Sequence, residues 1–242
     1  MKFRLIILMF FLFTMNLFSF EIKLPDGSIY NGDLVNGLFE GKGSQYWSNG
    51  DIYKGEFKKG LYNGFGIMST LEYTYEGLFF DGLMNGEGIL RLKNGTVFSG
   101  EFKNGYLNGF GRIEYSNGDE YLGNIIDNIK SGAGSYIKKN GDVYVGNFEQ
   151  DMFNGFGTYN ESNGNIYIGE FHDNFFNGYG KYISKENINK DVVYEGIFTN
   201  GNFPDSYFLK GYVWNQTKNI IIFCLIISNI ILFVFLFRRN VK

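Results

Sequence analysis

Tyr53-Lys54-Gly55-Glu56-Phe57-Lys58-Lys59-Gly60-Leu61-Tyr62-Asn63-Gly64-Phe65-Gly66 is the stretch whose reading decides the fold. Tyr53, Gly55 and Phe57 alternate with Lys54, Glu56 and Lys58, the period of two expected of a strand that buries one face. Lys59-Gly60 and Asn63-Gly64 read as a turn, and Gly66 to Leu71 as the returning strand. Outward from this stretch the same arrangement returns about every 23 residues, the signature of a repeat array. The leading aromatics are Tyr30, Tyr53, Tyr75, Phe98, Tyr121, Tyr144, Tyr167 and Tyr194. Two residues after each comes a glycine: Gly32, Gly55, Gly77, Gly100, Gly123, Gly146, Gly169 and Gly196. An apolar residue follows two further on, from Leu34 and Phe57 to Phe171 and Phe198, and then a glycine pair such as Gly41 and Gly43 or Gly178 and Gly180.

This Y-x-G-x-F-x(6)-G-x-G pattern resembles the MORN (membrane occupation and recognition nexus) repeat family. The residues themselves predict an all-β chain: an elongated single-sheet solenoid of consecutive antiparallel β-hairpins, each hairpin depending on its neighbours to bury a face. The array is assigned to residues 21–205, with seven full repeats from Tyr30 and a partial eighth from Tyr194. Asn49-Gly50, Asn94-Gly95, Asn117-Gly118, Asn140-Gly141 and Asn163-Gly164 read as type I′ turns, in which both central residues take positive φ. Glycine inside a strand weakens it, so one kept in register must serve packing. The expectation is that an aromatic from a neighbouring strand lies flat over the bare backbone at positions such as Gly55 and Gly100. The seventh repeat carries a polar insertion, Ser184 to Asp191, and the second has Glu72-Tyr73 where the others have Asn-Gly.

The two ends of the chain suit a different solvent. Residues 1–20 place an apolar run, Leu5 to Phe20, behind Lys2 and Arg4, as a signal peptide or signal anchor would. Residues 206–218 read as a juxtamembrane linker, 219–237 as a transmembrane helix and 238–242 as a basic tail with Arg238 and Arg239. Cations at both ends favour the cytoplasmic side, which both ends satisfy if the repeats are translocated to a lumenal or extracellular space. The alternative is a tail anchor with cytosolic repeats. Three sequons, Asn94-Gly95-Thr96, Asn160-Glu161-Ser162 and Asn215-Gln216-Thr217, are compatible with translocation.

Of the 22 Lys and Arg, five lie in the terminal segments, so 17 face 25 Asp and Glu between Glu21 and Lys218 and the array is near minus eight. Nucleic acid is disfavoured as a partner, and binding of anionic lipid by the repeats, which the family resemblance implies as an option, is disfavoured too. A local basic patch of Lys54, Lys58, Lys59 and Lys103 reads as solvated strand-edge lysines. His172 is the single histidine and Cys224 the single cysteine, so no metal or catalytic constellation is expected and no cofactor is implied. The glycine-x-glycine units lack the strand-to-helix context of a phosphate loop.

What remains is surface. Phe65, Phe110, Phe156 and Tyr179 stand between the paired glycines, and Phe39, Tyr62, Phe153 and Phe176 shortly before them. Phe65, Phe110, Phe153, Phe156, Phe176 and Tyr179 are the candidate groove for a protein partner. The function expected is a non-enzymatic, membrane-anchored interaction scaffold. The alternative is a membrane-contact tether, a pairing of repeats and C-terminal helix that resembles the junctophilins.

Overall fold

The computed structural model describes residues 21–187 and 190–203. The signal segment, the linker, the C-terminal helix and the basic tail assigned above lie outside the described residues. Sixteen strands form one open antiparallel sheet whose spatial order follows chain order. They are β1 (Glu21–Lys23), β2 (Ile29–Val35), β3 (Leu38–Tyr46), β4 (Ile52–Lys58), β5 (Leu61–Ser69), β6 (Tyr73–Phe80), β7 (Leu83–Leu92) and β8 (Val97–Lys103). After these come β9 (Tyr106–Glu114), β10 (Glu120–Ile126), β11 (Ile129–Ile137), β12 (Val143–Glu149), β13 (Met152–Asn160), β14 (Ile166–His172), β15 (Phe175–Asn187) and β16 (Lys190–Phe198). The described residues divide into two compact units, one running to Gly141 with Val145–Met152, the other Asp142–Tyr144 with the residues from Phe153 onward. Among the described residues no helix is long and apolar enough to cross a membrane.

The Asn-Gly dipeptides do join paired strands, as at Asn49-Gly50 between β3 and β4, but they are not type I′ turns. Two successive positive φ angles, the mark of a type I′ turn, occur at Asn36-Gly37, Lys59-Gly60, Asp81-Gly82, Asn104-Gly105 and Asn200-Gly201, and also at Asp127-Asn128, Gln150-Asp151 and Asp173-Asn174. At Asn49-Gly50 only the glycine is positive, at +93°. The Gly50 N–H donates to the Trp47 carbonyl at 3.0 Å, and the Asn49 side chain accepts the Asp51 N–H at 3.1 Å. That is a wider turn closed by an Asx contact, in which asparagine acts through its side chain rather than through a left-handed backbone.

Asn63-Gly64 is not a turn; it lies inside β5. Gly55 pairs with Gly66 and Phe57 with Tyr62, so Glu56 alone stands opposite Asn63, Gly64 and Phe65. The two extra residues form a bulge, with Gly64 at φ +87° where an L side chain is strained. The break interrupts the ladder at Glu56, and its carbonyl accepts the Tyr53 hydroxyl at 2.9 Å. The bond recurs from Tyr30 to the Asp33 carbonyl, Tyr75 to Leu78, Tyr121 to Asn124 and Tyr167 to Glu170. Tyrosine there contributes its hydroxyl as well as its ring.

Pairing places Gly32, Gly43, Gly55, Gly66, Gly77, Gly88, Gly100, Gly111, Gly123 and Gly134 in one unbroken row across the first unit. Gly157, Gly169, Gly180 and Gly196 do the same in the second. The leading tyrosines lie on this row. A Cβ on Gly66 would stand 2.7 Å from Cε2 and Cζ of Tyr53. The ring thus covers a glycine of the adjacent strand, as expected, and also Gly55 of its own strand. Gly100 departs from the expectation. A Cβ there would meet Leu107 Cδ1 at 3.2 Å as its nearest side-chain atom rather than a ring, and the leading residue of that repeat is Phe98, which has no hydroxyl to reach a bulge carbonyl.

With no second layer, the core is this carpet of rings on one face. Tyr53 stacks on Tyr62 with centroids 3.9 Å apart and meets Phe57 and Phe79 edge-on at 5.1 and 5.2 Å. In the second unit Tyr167 stacks on Phe176 at 3.8 Å. Tyr30, Tyr53, Tyr75, Tyr121, Tyr144 and Tyr167 have no exposed surface.

Burial pushes the phenols of Tyr62, Tyr75, Tyr167 and Tyr182 up to about 12, because the phenolate would have to lose its water. A pKa raised above the ordinary 10 contributes stability that is complete below pH 10 and lost as pH rises from there through about 12. Alkaline unfolding is therefore expected in that window, with tyrosinate absorbance and loss of near-ultraviolet circular dichroism rising together. Ionisation of the whole tyrosine complement near pH 10 in a chain that keeps its dichroism would contradict the ring carpet.

Candidate interaction surface

Side chains alternate faces along a strand, so whatever the tyrosines do not cover points outward. The residue between the paired glycines is outward in each repeat. Phe65 is 49% exposed, Phe110 49%, Phe156 54% and Tyr179 55%, well above what an aromatic side chain needs merely to close a hairpin. In the first unit the outward row reads Phe65 paired with Leu78, Glu87 paired with Glu101, and Phe110 paired with Asn124. Leu78 lies against Gly86, and Glu101 against Gly109, so the row is continuous at about 5 Å per strand. In the second unit Phe156 pairs with Glu170 and Tyr179 with Ile197, and the Tyr179 hydroxyl donates to Glu195 Oε1 at 2.7 Å.

Phe153 and Phe176 do not belong to this surface, which corrects the six-residue groove read from the sequence. Phe153 stacks on Tyr144 at 3.8 Å and Phe176 on Tyr167 at 3.8 Å, both on the ring-covered face. Phe39 and Tyr62 are their counterparts under Tyr30 and Tyr53. Phe153 and Phe156 are three residues apart, an odd step that sends them to opposite faces of the sheet.

Lys130 escaped the sequence reading. It pairs with Ile125, as Tyr62 pairs with Phe57 and Leu107 with Phe102, so it occupies an otherwise apolar place in the carpet. Only 9% exposed, it holds its ammonium 3.0 Å from the Tyr115 hydroxyl and 3.3 Å from Asp151 Oδ1. The rings of Tyr115, Tyr136 and Tyr121 lie 5.3, 5.4 and 5.9 Å from it. Carboxylate and ring faces together compensate its burial. Aligning the repeats column by column would have exposed it as a lysine among Phe39, Tyr62, Met84 and Leu107.

Among the described residues no group of three or more His, Cys, Asp or Glu is placed to hold a metal ion. His172 Nδ1 lies 3.1 Å from Asp173 Oδ2, with both side chains at least half exposed beside a hairpin turn. Lys54, Lys58, Lys59 and Lys103 are exposed, and the Lys54 ammonium stands 6.0 Å over the Tyr46 ring. Arg112 is taken up by Glu120, at 2.8 Å, and Glu114, at 3.0 Å. Hydrogen bonding to Glu120 raises its pKa further.

The model of the MORN repeat matches seven consecutive segments, residues 30–52, 53–69, 75–97, 98–120, 121–143, 144–166 and 167–186. The chain belongs to the MORN repeat family. Its MORN segments begin on Tyr30, Tyr53, Tyr75, Phe98, Tyr121, Tyr144 and Tyr167, the leading aromatics of the periodic pattern. The partial eighth unit at Tyr194 falls outside these matches, yet β16 continues the MORN ladder, with Tyr182 paired to Tyr194. No curated protein matches the chain. Among solved structures it is similar to the SAS-4 (dCPAP) TCP domain of Drosophila melanogaster, solved in complex with a proline-rich motif of Ana2 (dSTIL). The identity is 17% and the TM-score 0.38, over 63% of this chain and 83% of that one.

Proposed function

We propose that this MORN protein is a non-enzymatic, membrane-anchored scaffold that binds a protein partner through the outward row of its sheet. The observation that carries the reading is the row itself. Phe65, Leu78 and Phe110 are exposed apolar residues, and between them stand two carboxylates, Glu87 and Glu101, directly opposite each other. Like charges facing across a strand pair destabilise it, and among the described residues neither carboxylate is drawn into an ion pair. A partner segment with apolar side chains flanking a Lys or Arg fits both features, since its cation relieves the repulsion while its apolar groups cover the aromatics. Anchoring rests on the apolar segment 219–237, and the cations at both ends favour translocated repeats. Reversal of Glu87 and Glu101 to Lys together is expected to abolish partner recovery from solubilised membranes; recovery at wild-type level would refute the row as the binding surface.

The tether reading requires the repeats to grip a membrane. With 15 Lys and Arg against 24 Asp and Glu, fragment Glu21–Pro204 is near minus nine and is expected to leave anionic liposomes unbound at physiological salt. Salt-sensitive co-sedimentation with phosphoinositide vesicles would reverse the preference between the two.

A further inference from the structure

We propose that Asn94 carries an N-linked glycan, an inference that rests on the reading of the repeats as translocated. Asn49, Asn94, Asn117 and Asn163 occupy equivalent turns, each with its side-chain oxygen accepting the N–H two residues on. In three of them the amide nitrogen is taken: Asn49 Nδ2 donates to Asp51, Asn117 Nδ2 to Asp119 and Asn163 Nδ2 to Glu161, each at 2.9 Å. Asn94 is different because Thr96 stands where the carboxylate of Asp51 or Asp119 would be. Among the described residues its Nδ2 has no hydrogen-bond partner, its side chain is exposed, and a Cβ on Gly95 beside it would meet nothing nearer than Ser116 at 3.8 Å. The substitution that frees this nitrogen is also the one that completes Asn-x-Thr.

The modification is a group transfer. Nδ2 of Asn94 attacks the anomeric carbon of a lipid-pyrophosphate-linked oligosaccharide. An N–C bond forms, the C–O bond to pyrophosphate breaks, the lipid pyrophosphate leaves, and the amide proton passes to a base of the transferase. Transfer takes place before the turn closes over Thr96, which is 7% exposed in the folded chain. The closed turn then has to tolerate a sugar, and at Asn94 it does so without breaking a hydrogen bond. Asn160, the other described sequon, is half-buried within β13 and paired with Ile166.

The full chain, translated in the presence of sealed endoplasmic-reticulum microsomes, tests this with two readouts: endoglycosidase-sensitive mobility and protease protection. Wild type is expected to show an added-mass step that Asn94→Gln loses and that Thr96→Ser and Asn160→Gln keep. Protected repeats whose Asn94→Gln mobility equals wild type would overturn the glycan and leave translocation standing. Repeats digested without detergent would overturn translocation and the glycan together.

Discussion

Gly66→Ala is expected to cost the repeat array several kcal/mol, whereas Gly111→Ala, at the equivalent glycine two repeats on, costs much less. At Gly66 the new methyl would stand 2.7 Å from two ring atoms of Tyr53, a side chain with no exposed surface. The ring cannot step aside, because it is stacked on Tyr62 and its hydroxyl is committed to the Glu56 carbonyl. Displacing it strands that carbonyl and opens the carpet, so overpacking of about 1–3 kcal/mol is compounded by lost aromatic burial of a similar size. At Gly111 the same methyl meets Ile125 Cδ1 and Leu107 Cδ2 at 3.1 Å, the far ends of flexible side chains that shift by a few tenths of an ångström. Urea midpoints of fragment Glu21–Pro204 check the pair. Equal midpoints for the two variants would show that the tyrosine does not clamp the glycine row.

The second large effect separates the two faces of the sheet. Replacement of Phe65, Phe110 and Phe156 together by Ser is expected to abolish partner recovery from solubilised membranes while moving Tm by only a few degrees, since all three are half exposed. Phe153→Ser alone should do the opposite at the level of the fold. It removes the ring stacked on Tyr144 and, because Phe153 is partly exposed, costs less than the roughly 3–5 kcal/mol of deleting a fully buried phenylalanine, about 2–3 kcal/mol. Undiminished recovery from a folded triple variant would leave the outward row without a binding role. A collapse of that variant would instead assign the three rings to stability.

How legible these features were depended on how local each one is. Hairpin after hairpin was readable because Tyr53, Gly55 and Phe57 alternate within five residues, and because the pattern recurs in seven matched segments. Lys59-Gly60 and Asn49-Gly50 are turns as read, but the type I′ geometry belongs to the first alone and Asn63-Gly64 lies inside β5, because which dipeptide takes left-handed φ twice in succession depends on the pairing of the flanking strands. Of the six aromatics grouped by spacing, Phe65, Phe110, Phe156 and Tyr179 face outward while Phe153 and Phe176 do not, because the grouping did not apply the parity that divides Phe153 from Phe156. Lys130 looked like any surface lysine until Tyr121 and Tyr136 from two paired strands and Tyr115 and Asp151 from two connections were gathered around it.

From the sequence by itself came the repeat, the all-β class, the register of glycines and the acidity of the array, since each is a property of spacing or composition within one repeat. Only the tertiary structure decided that the hydroxyl of Tyr53 closes the bulge at Glu56, that the Tyr53 ring covers a glycine on each of two strands, and that Glu87 faces Glu101 between exposed aromatics. Those facts need two neighbouring strands in a stated register. Backbone bulges shift that register by residues whose effect no single strand records, so the contacts exist only once the sheet has formed.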